Sequence, residues 1–454
     1  MIQERHYWNM DVEPFLNTPE MKKLQLEKLK IMLKRLYANA PFHRKRMDDA
    51  KIDIDKLINL ENFSKAIAVY DKKGYREHAA ACGSDLIKLM DEEIAVSVDD
   101  LVMLNSTTGT TGDPTPYPLT FKDINNVWGE AMCRGAWRAG LRKKDRLLFC
   151  FALSMVIAGT GSFMGLQRIG TTIIPVGAES GTERMFQMAK YFKPTAFMGT
   201  PSLASYLIEK ASEKIGMDAG SMGIKILLCG GEAGAGVAEI RKKLEEGFGA
   251  RLFDAGAGYG MSCDYPEYQG MHWLGDDLCI YELVDPDTRE PIPLEDGARG
   301  EAVFTNIEGD GWVWLRTSLG DIHEVMMSPC PCGRSGFRYK IVGRTDDMLK
   351  VKGVIVYPAA VAGLLQGFAP RVTGEFRIVL TEKPPLVVPP LKIKIERGAD
   401  YPVEKLAELE EELLEAFHGK MKIRPKIIWQ KAGELERSTY KGKKFEDLYE
   451  EKKK

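Results

Sequence analysis

Long hydrophobic runs are missing from this 454-residue chain. No stretch reaches the ~18 consecutive apolar residues of a membrane-crossing helix. The most apolar segment, residues 147–165, is interrupted by Ser154, Gly159, Gly161 and Ser162 and reads as buried core. A dominant charge is missing too: 63 basic and 65 acidic side chains give a formal charge of −2, which leaves no footprint for nucleic acid. The opening MIQERHYWNM lacks the basic-then-apolar order of a secretory signal. Cysteine is sparse, and eight in a chain of this length are no disulfide framework, so a reducing cytoplasm is the expected setting. Cys82, Cys133, Cys150, Cys229 and Cys279 are scattered and read as packing residues. A Walker phosphate loop is also absent, because no Gly-Lys-Ser/Thr follows the Gly/Thr-rich stretch after Asn105.

What is present is enough for two domains, since a single core stops growing near ~250–300 residues. The first hundred residues read as helical. Within residues 21–37, Leu24, Leu26, Leu29, Ile31, Leu33 and Leu36 stand among lysines in an amphipathic pattern. From Asp145 onward, apolar runs such as RLLFCFAL, TTIIPVG, TAFMGT and KILLCGG alternate with the helical segments ERMFQMAKYF and VAEIRKKLEEGF. That alternation predicts an α/β fold of helix-covered parallel sheets, with ligands beyond the strand ends. Residues 278–303 read as antiparallel strands about a turn that starts at Asp285. Beyond Gly343, strands with a Pro-rich connection and a charged helix over residues 403–418 predict a smaller α+β unit, its tail frayed from Glu446. The expected division is a large domain over residues 1–343 and a small one over residues 346–454.

Two constellations carry chemistry. The first is Asn105-Ser-Thr-Thr-Gly-Thr-Thr-Gly-Asp-Pro-Thr115, with Ser106, Thr107, Thr108, Gly109, Thr110, Thr111 and Gly112 as candidate ligands. Glycines let backbone N–H groups converge and hydroxyls add donors, which suits the anionic oxygens of a nucleotide. Taken alone, the same stretch also fits a polar hairpin turn. The second is Cys263 and His272 together with Cys330 and Cys332. Three thiolates and one imidazole make the closed tetrahedral set of structural zinc, though the spacing is not that of a zinc finger. Three buried thiols and a core histidine fit these residues as well.

The nucleotide loop and several later segments, in this order, resemble the adenylate-forming (acyl-CoA synthetase) superfamily over nearly the whole chain. Lys193-Pro-Thr-Ala-Phe-Met-Gly-Thr-Pro201 is similar to its active-site wall, and Gly230-Gly-Glu232 to its adenine segment. Gly343-Arg-Thr-Asp-Asp-Met-Leu-Lys-Val-Lys-Gly353, followed by Tyr357-Pro358, is similar to the motif between its two domains. The wording of that motif, the opening helix before Tyr37-Ala-Asn-Ala-Pro-Phe-His43, and Cys330-Pro-Cys-Gly-Arg-Ser335 resemble the phenylacetate–CoA ligase-like branch.

The resemblance implies a large AMP-binding domain with a small mobile C-terminal one. It places Gly231, Glu232 and a stacking Tyr259 at adenine, Asp321 on the ribose diol, Arg344 on the nucleotide, and Asp346 at the hinge. Lys441 takes the place of the catalytic lysine, with Lys443 the second choice; its ammonium would bridge substrate carboxylate and α-phosphate. The branch has similar Cys…His and Cys-Pro-Cys elements, which strengthens the zinc reading. The implied activity is an AMP-forming carboxylate–CoA ligase for an aromatic or arylacetic acid, using ATP, Mg²⁺ and CoA, with no membrane partner and with a homodimer as the family's state. Three positions depart from the pattern: Asp113 replaces a lysine, Cys263 a glutamate and Ser318 an arginine. Two rivals therefore stay open, an adenylyltransferase that stops at an AMP adduct and a non-catalytic, zinc-stabilised nucleotide-binding regulator.

Overall fold

The computed structural model describes residues 6–106, 115–232, 234–256, 258–351, 354–382, 384–385, 387–436 and 444–448. The first hundred residues form α1 (Pro19–Asn39), α2 (Pro41–Asp49), α3 (Leu60–Ala66), α4 (Lys72–Ala81) and α5 (Leu86–Glu93). Their starts are written locally. Thr18, Asn59, Asp71 and Asp85 accept hydrogen bonds from first-turn N–H groups of α1, α3, α4 and α5. Pro19 and Pro41 open α1 and α2, where no N–H is needed. The buried face of α1 is Met21, Gln25, Leu29, Met32, Leu33 and Leu36, while Ile31 stays 68% exposed. Burial follows the 3.6-residue period rather than every aliphatic side chain.

Next comes a hairpin, β1 (Met103–Ser106) and β2 (Pro116–Leu119), with Ser106 opposite Pro116. The Gly/Thr-rich stretch is its connection. Thr107, Thr108, Gly109, Thr110, Thr111, Gly112 and Asp113 lie outside the described residues.

Twelve strands make the main sheet among the described residues: β3 (Arg146–Phe149), β4 (Thr172–Pro175), β5 (Ala196–Gly199), β6 (Ile226–Gly230), β7 (Arg251–Gly256), β8 (Gly260–Ser262), β9 (Met271–Trp273), β10 (Cys279–Val284), β11 (Pro291–Ile292), β12 (Arg299–Asn306), β13 (Thr317–Met326) and β14 (Arg338–Arg344). They run in the order β11-β10-β12-β13-β14-β9-β8-β7-β6-β5-β3-β4. The flank from β4 to β7 is parallel and the remainder antiparallel, as the two composition zones predict. Helices α6 (Gly129–Arg138), α7 (Ile157–Leu166), α8 (Thr182–Phe192), α9 (Pro201–Ile215) and α10 (Ala238–Phe248) accompany the parallel flank. Phe186, Leu207 and Phe248 join the core on one face, Cys133 and Leu166 that on the other, so the strands are apolar throughout. A Cβ on Gly165 of α7 would lie 2.6 Å from the Gly129 Cα of α6, so these helices meet at backbone distance.

After Arg344 the chain leaves this sheet. It forms β15 (Leu349–Val351), β16 (Val354–Val356), α11 (Pro358–Gln366), β17 (Val372–Leu380), β18 (Lys392–Arg397), α12 (Leu406–Met421), β19 (Lys426–Gln430) and β20 (Phe445–Asp447). A four-stranded sheet in the order β19-β18-β17-β20 shares a separate core built on Leu349, Val361, Phe376, Ile393, Leu413 and Phe417. The expected fraying from Glu446 is corrected for Glu446 and Asp447, while residues 449–454 lie outside the described residues. Residues 445–447 add a parallel edge strand to β17, and Lys394 holds Glu446 at 2.7 Å. Among the described residues no helix is long and apolar enough to cross a membrane.

Candidate active site

The parallel strands β5, β6 and β7 present their carboxyl ends on one edge of the sheet, where open α/β sheets bind ligands. Thr200, just past β5, caps α9 by accepting from Leu203 N at 3.2 Å. Glu232, just past β6, accepts from Ser202 N at 2.7 Å and so ties two strand ends together. A Cβ on Gly230 would fall 2.5 Å from the Ala255 carbonyl oxygen, and Gly231 has φ +82°; both positions require glycine. The base of the β1–β2 hairpin reaches the same edge, since Ser106 N donates to Met155 O at 2.6 Å in the β3–α7 connection.

Asp321 and Arg344 are direct cross-strand partners on β13 and β14, and their side chains form an ion pair. Gly320, with φ +85°, turns the strand just before the carboxylate. Arg344 also donates to Leu319 O at 2.9 Å and lies 3.5 Å from Asp346 Oδ2. The hairpin approaches this pair through Tyr117, whose phenol pKa is raised first by burial and then by Asp321. Tyr339 links the pair to the strand ends: its hydroxyl donates to Gly256 O at 3.1 Å, and its pKa is raised by burial, then by Asp254 and Asp321.

Asp346 carries a second tie that its sequence motif does not announce. Lys72, the first residue of α4, forms an ion pair with it. Burial acts to raise the Asp346 pKa, yet Lys72 and then Arg344 hold it below the ordinary value. In sequence Lys72 is one of two adjacent lysines before a glycine and gives no signal of this contact.

Tyr259 sits in the core. Its ring is 1% exposed, stacks on Trp312 at 5.8 Å and 2°, and its hydroxyl donates to Asn306 Oδ1 at 3.1 Å. The ring packs against Trp312 and Trp273 there. Gly256 pairs with Gly260, so Tyr259 lies in the turn at the carboxyl end of β7, with its ring packed into the core. Cys263, just past the end of β8, lies in a sulfur cluster.

That cluster is assembled from three places. Cys263 follows β8, His272 sits on β9, and Cys330 and Cys332 lie in the β13–β14 connection. Their donor atoms all fall within 4.8 Å of one another. The Cys263 and Cys330 sulfurs are 3.8 Å apart, and the Cys332 sulfur is 3.4 Å from His272 Nε2. His272 Nδ1 donates to Ser335 O at 3.0 Å, which leaves the Nε2 lone pair facing the sulfurs. The Cys332 pKa is lowered by its hydrogen bond with Cys263 and by His272, while that of Cys263 is raised by the same hydrogen bond and by burial. Burial lowers the His272 pKa and keeps the ring neutral, the form a metal requires. Lys441 and Lys443 lie outside the described residues.

The chain matches the AMP-binding enzyme family over residues 19–263 and the AMP-binding enzyme C-terminal domain over residues 353–448. It belongs to the AMP-binding enzyme family. Among curated relatives, a phenylacetate-coenzyme A ligase of Thermus thermophilus is 30% identical over 429 residues, covering 92% of each chain. Among solved structures, 2-hydroxyisobutyryl-CoA ligase in its postadenylation state superposes with a TM-score of 0.88 at 24% identity, covering 100% of this chain and 95% of that one. The same ligase in its thioesterification state gives a TM-score of 0.69 at 25% identity, covering 98% and 93%.

Proposed function

We propose that this protein is an AMP-forming carboxylate–CoA ligase that activates an aromatic or arylacetic acid. The observation that carries the reading is the Asp321–Arg344 pair, set beside the strand ends and two residues before Asp346. The relatives' activities and the family's two-part architecture support it. In the first half-reaction a substrate carboxylate oxygen attacks the α-phosphorus of ATP and pyrophosphate leaves. The Asp321 carboxylate accepts from the two ribose hydroxyls, while its ion pair with Arg344 aims it. Ser106, Thr107, Thr108, Gly109, Thr110, Thr111 and Gly112 donate to the phosphate oxygens, Gly231 and Glu232 border the adenine, and Lys441 neutralises charge between carboxylate and α-phosphate. Mg²⁺ arrives with ATP, and Cys263 is committed elsewhere. In the second half-reaction the CoA sulfur attacks the acyl carbon and AMP leaves. Between the two, the small domain (residues 346–454) rotates about Asp346. The higher TM-score against the postadenylation form supports reading the present arrangement as the adenylating one.

Zinc fits the sulfur cluster. A tetrahedron with Zn–S ≈ 2.3 Å and Zn–N ≈ 2.0–2.1 Å has edges of about 3.8 Å between sulfurs and about 3.5 Å between sulfur and nitrogen. The separations found are 3.8 Å and 3.4 Å. Cys263, His272, Cys330 and Cys332 would hold the ion with no open position, so its contribution is structural. Metal analysis of a Cys330→Ser/Cys332→Ser variant tests this: it should lose about one equivalent relative to the unmodified chain, and unchanged content rejects the site.

The activity test is a panel of carboxylic acids read by pyrophosphate release with and without CoA. Acid-dependent release that yields an acyl thioester only with CoA is the expected result. A stable AMP adduct whose formation ignores CoA points instead to an adenylyltransferase, and no release with any acid points to a regulator.

A further inference from the structure

The helical region holds a second set of metal-type donors that the reaction does not use. His78 on α4 and Cys82, the residue that caps its C-terminus, stand four positions apart and so leave the same face of the turn. Glu92 faces them from α5. A His78 nitrogen, the Cys82 sulfur and a Glu92 oxygen lie within 4.8 Å of one another. His78 Nε2 is 2.9 Å from Glu92 Oε2, and Nδ1 is 2.9 Å from Glu93 Oε1. That Glu93 oxygen also accepts the Tyr70 hydroxyl at 2.6 Å. The Phe42 ring stacks on the imidazole at 3.8 Å and 11°, which fixes the ring plane.

One nitrogen oriented by a carboxylate and the other aimed at further donors is how metal-binding histidines are held. We infer that His78, Cys82 and Glu92 bind a divalent cation of the zinc type, with Glu93 as the orienting partner outside the coordination sphere. Thiolate and imidazole donors favour zinc over the oxygen-seeking Mg²⁺ and Ca²⁺. His78 and Cys82 are 9% and 6% exposed, whereas the Glu92 side chain is 33% exposed and leaves an entry path and a fourth position for water. The exchange balances. Without metal, Nε2 carries the proton shared with Glu92 and Cys82 carries its thiol proton. The cation displaces both into solvent, two charges leave as one doubly charged ion enters, and the cluster's net charge is unchanged. Cys82 thus gains a role beyond packing.

The ion would clip α4 to α5. That clip bears on the active site because the residue just ahead of α4's cap is joined to β13: Tyr70 N donates to Arg316 O at 2.7 Å, and Ser318 N donates to Tyr70 O at 2.8 Å.

The experiment uses the full chain, equilibrated with Zn²⁺, desalted and assayed for metal by mass spectrometry. About two equivalents are expected, one for each Cys/His-containing site; Cys82→Ser and Glu92→Gln should each lower the content by about one, as should Cys330→Ser/Cys332→Ser independently. Glu92→Gln guards against a folding defect in Cys82→Ser, because Glu92 lies at the surface side of the cluster. Co²⁺ added to a Cys263→Ser/Cys330→Ser/Cys332→Ser variant should give a thiolate–cobalt absorption band that a further Cys82→Ser removes. The inference is overturned if Cys82→Ser and Glu92→Gln retain the full metal content, if the triple variant gives no band, or if all metal is lost with Cys330 and Cys332.

Discussion

Replacing Lys72 by methionine removes the ion pair that joins α4 to the proposed hinge carboxylate Asp346 while keeping most of the side chain's length. The Lys72 and Asp346 side chains are 46% and 47% exposed, so this is a surface-type pair, worth about 0.2–1 kcal/mol. If it holds the small domain in the adenylating arrangement, its loss shifts the equilibrium toward the other arrangement by about 1.4- to 5-fold. ATP–pyrophosphate exchange reads the first half-reaction, and thioester formation from supplied acyl adenylate reads the second. The ratio of second to first rate should rise by that factor in Lys72→Met. Lys72→Arg should restore it, and added salt should move the unmodified enzyme toward the variant, because exposed pairs are screened. Equal change in both half-reactions would refute the hinge tie. So would loss of adenylation beyond about 10-fold, which a solvated pair of this kind cannot account for.

Asp321→Asn removes a charged acceptor from the ribose hydroxyls; with about 1.5–3 kcal/mol at stake, kcat/KM for ATP should fall about 10- to 150-fold. The KM for the acid should stay within a few-fold of its original value in the same steady-state assay. For stability, Asp254 is pushed up to about 6, chiefly by burial, against the pull of the Tyr268 hydroxyl and Arg241. A carboxyl whose folded pKa lies above its unfolded one binds more protons when folded. Its contribution is therefore complete below about pH 4 and lost as pH rises through 6, by up to about 3 kcal/mol. Asp254→Asn should flatten that part of the stability profile in urea titrations at pH 4, 5, 6 and 7. An unchanged difference between pH 4 and pH 7 would reject the assignment.

Much of the scaffold could be read from the chain because both-face burial leaves a plain signature. Strands β3, β5 and β6 are continuous apolar runs for the same reason they are the inner strands of the helix-covered parallel flank. Motif order singles out Asp321 and Arg344 without saying that they pair, and residue type groups the four donors of the sulfur cluster, although Cys263 and Cys330 are 67 positions apart. That the Tyr259 ring packs into the core from the turn at the end of β7 could not be read, because neither propensity nor motif says which way a turn residue's side chain will face. Lys72 could not be found at all. Its partner is 274 positions away, and an exposed lysine beside another carries no mark of what it will meet. Strand β20 was hidden for a related reason: three residues in a charged tail gain strand character only from the edge of β17 that receives them.

The β13–β14 ladder changes register once. Asp321 faces Arg344 and Ile322 faces Gly343, but His323 faces Ile341, so Val342 is an extra residue on one strand. Since side chains alternate faces along a strand, that single residue sets which side of the ladder Arg344 occupies. The other end of the ladder runs into the connection bearing Cys330 and Cys332. A one-residue insertion or deletion between that connection and Val342 would have to be absorbed by the cysteine loop or else reverse the facing of Arg344. The hairpin thus works like a vernier: the loop end fixes zero, the bulge sets the reading, and the Asp321–Arg344 pair is where the reading is taken.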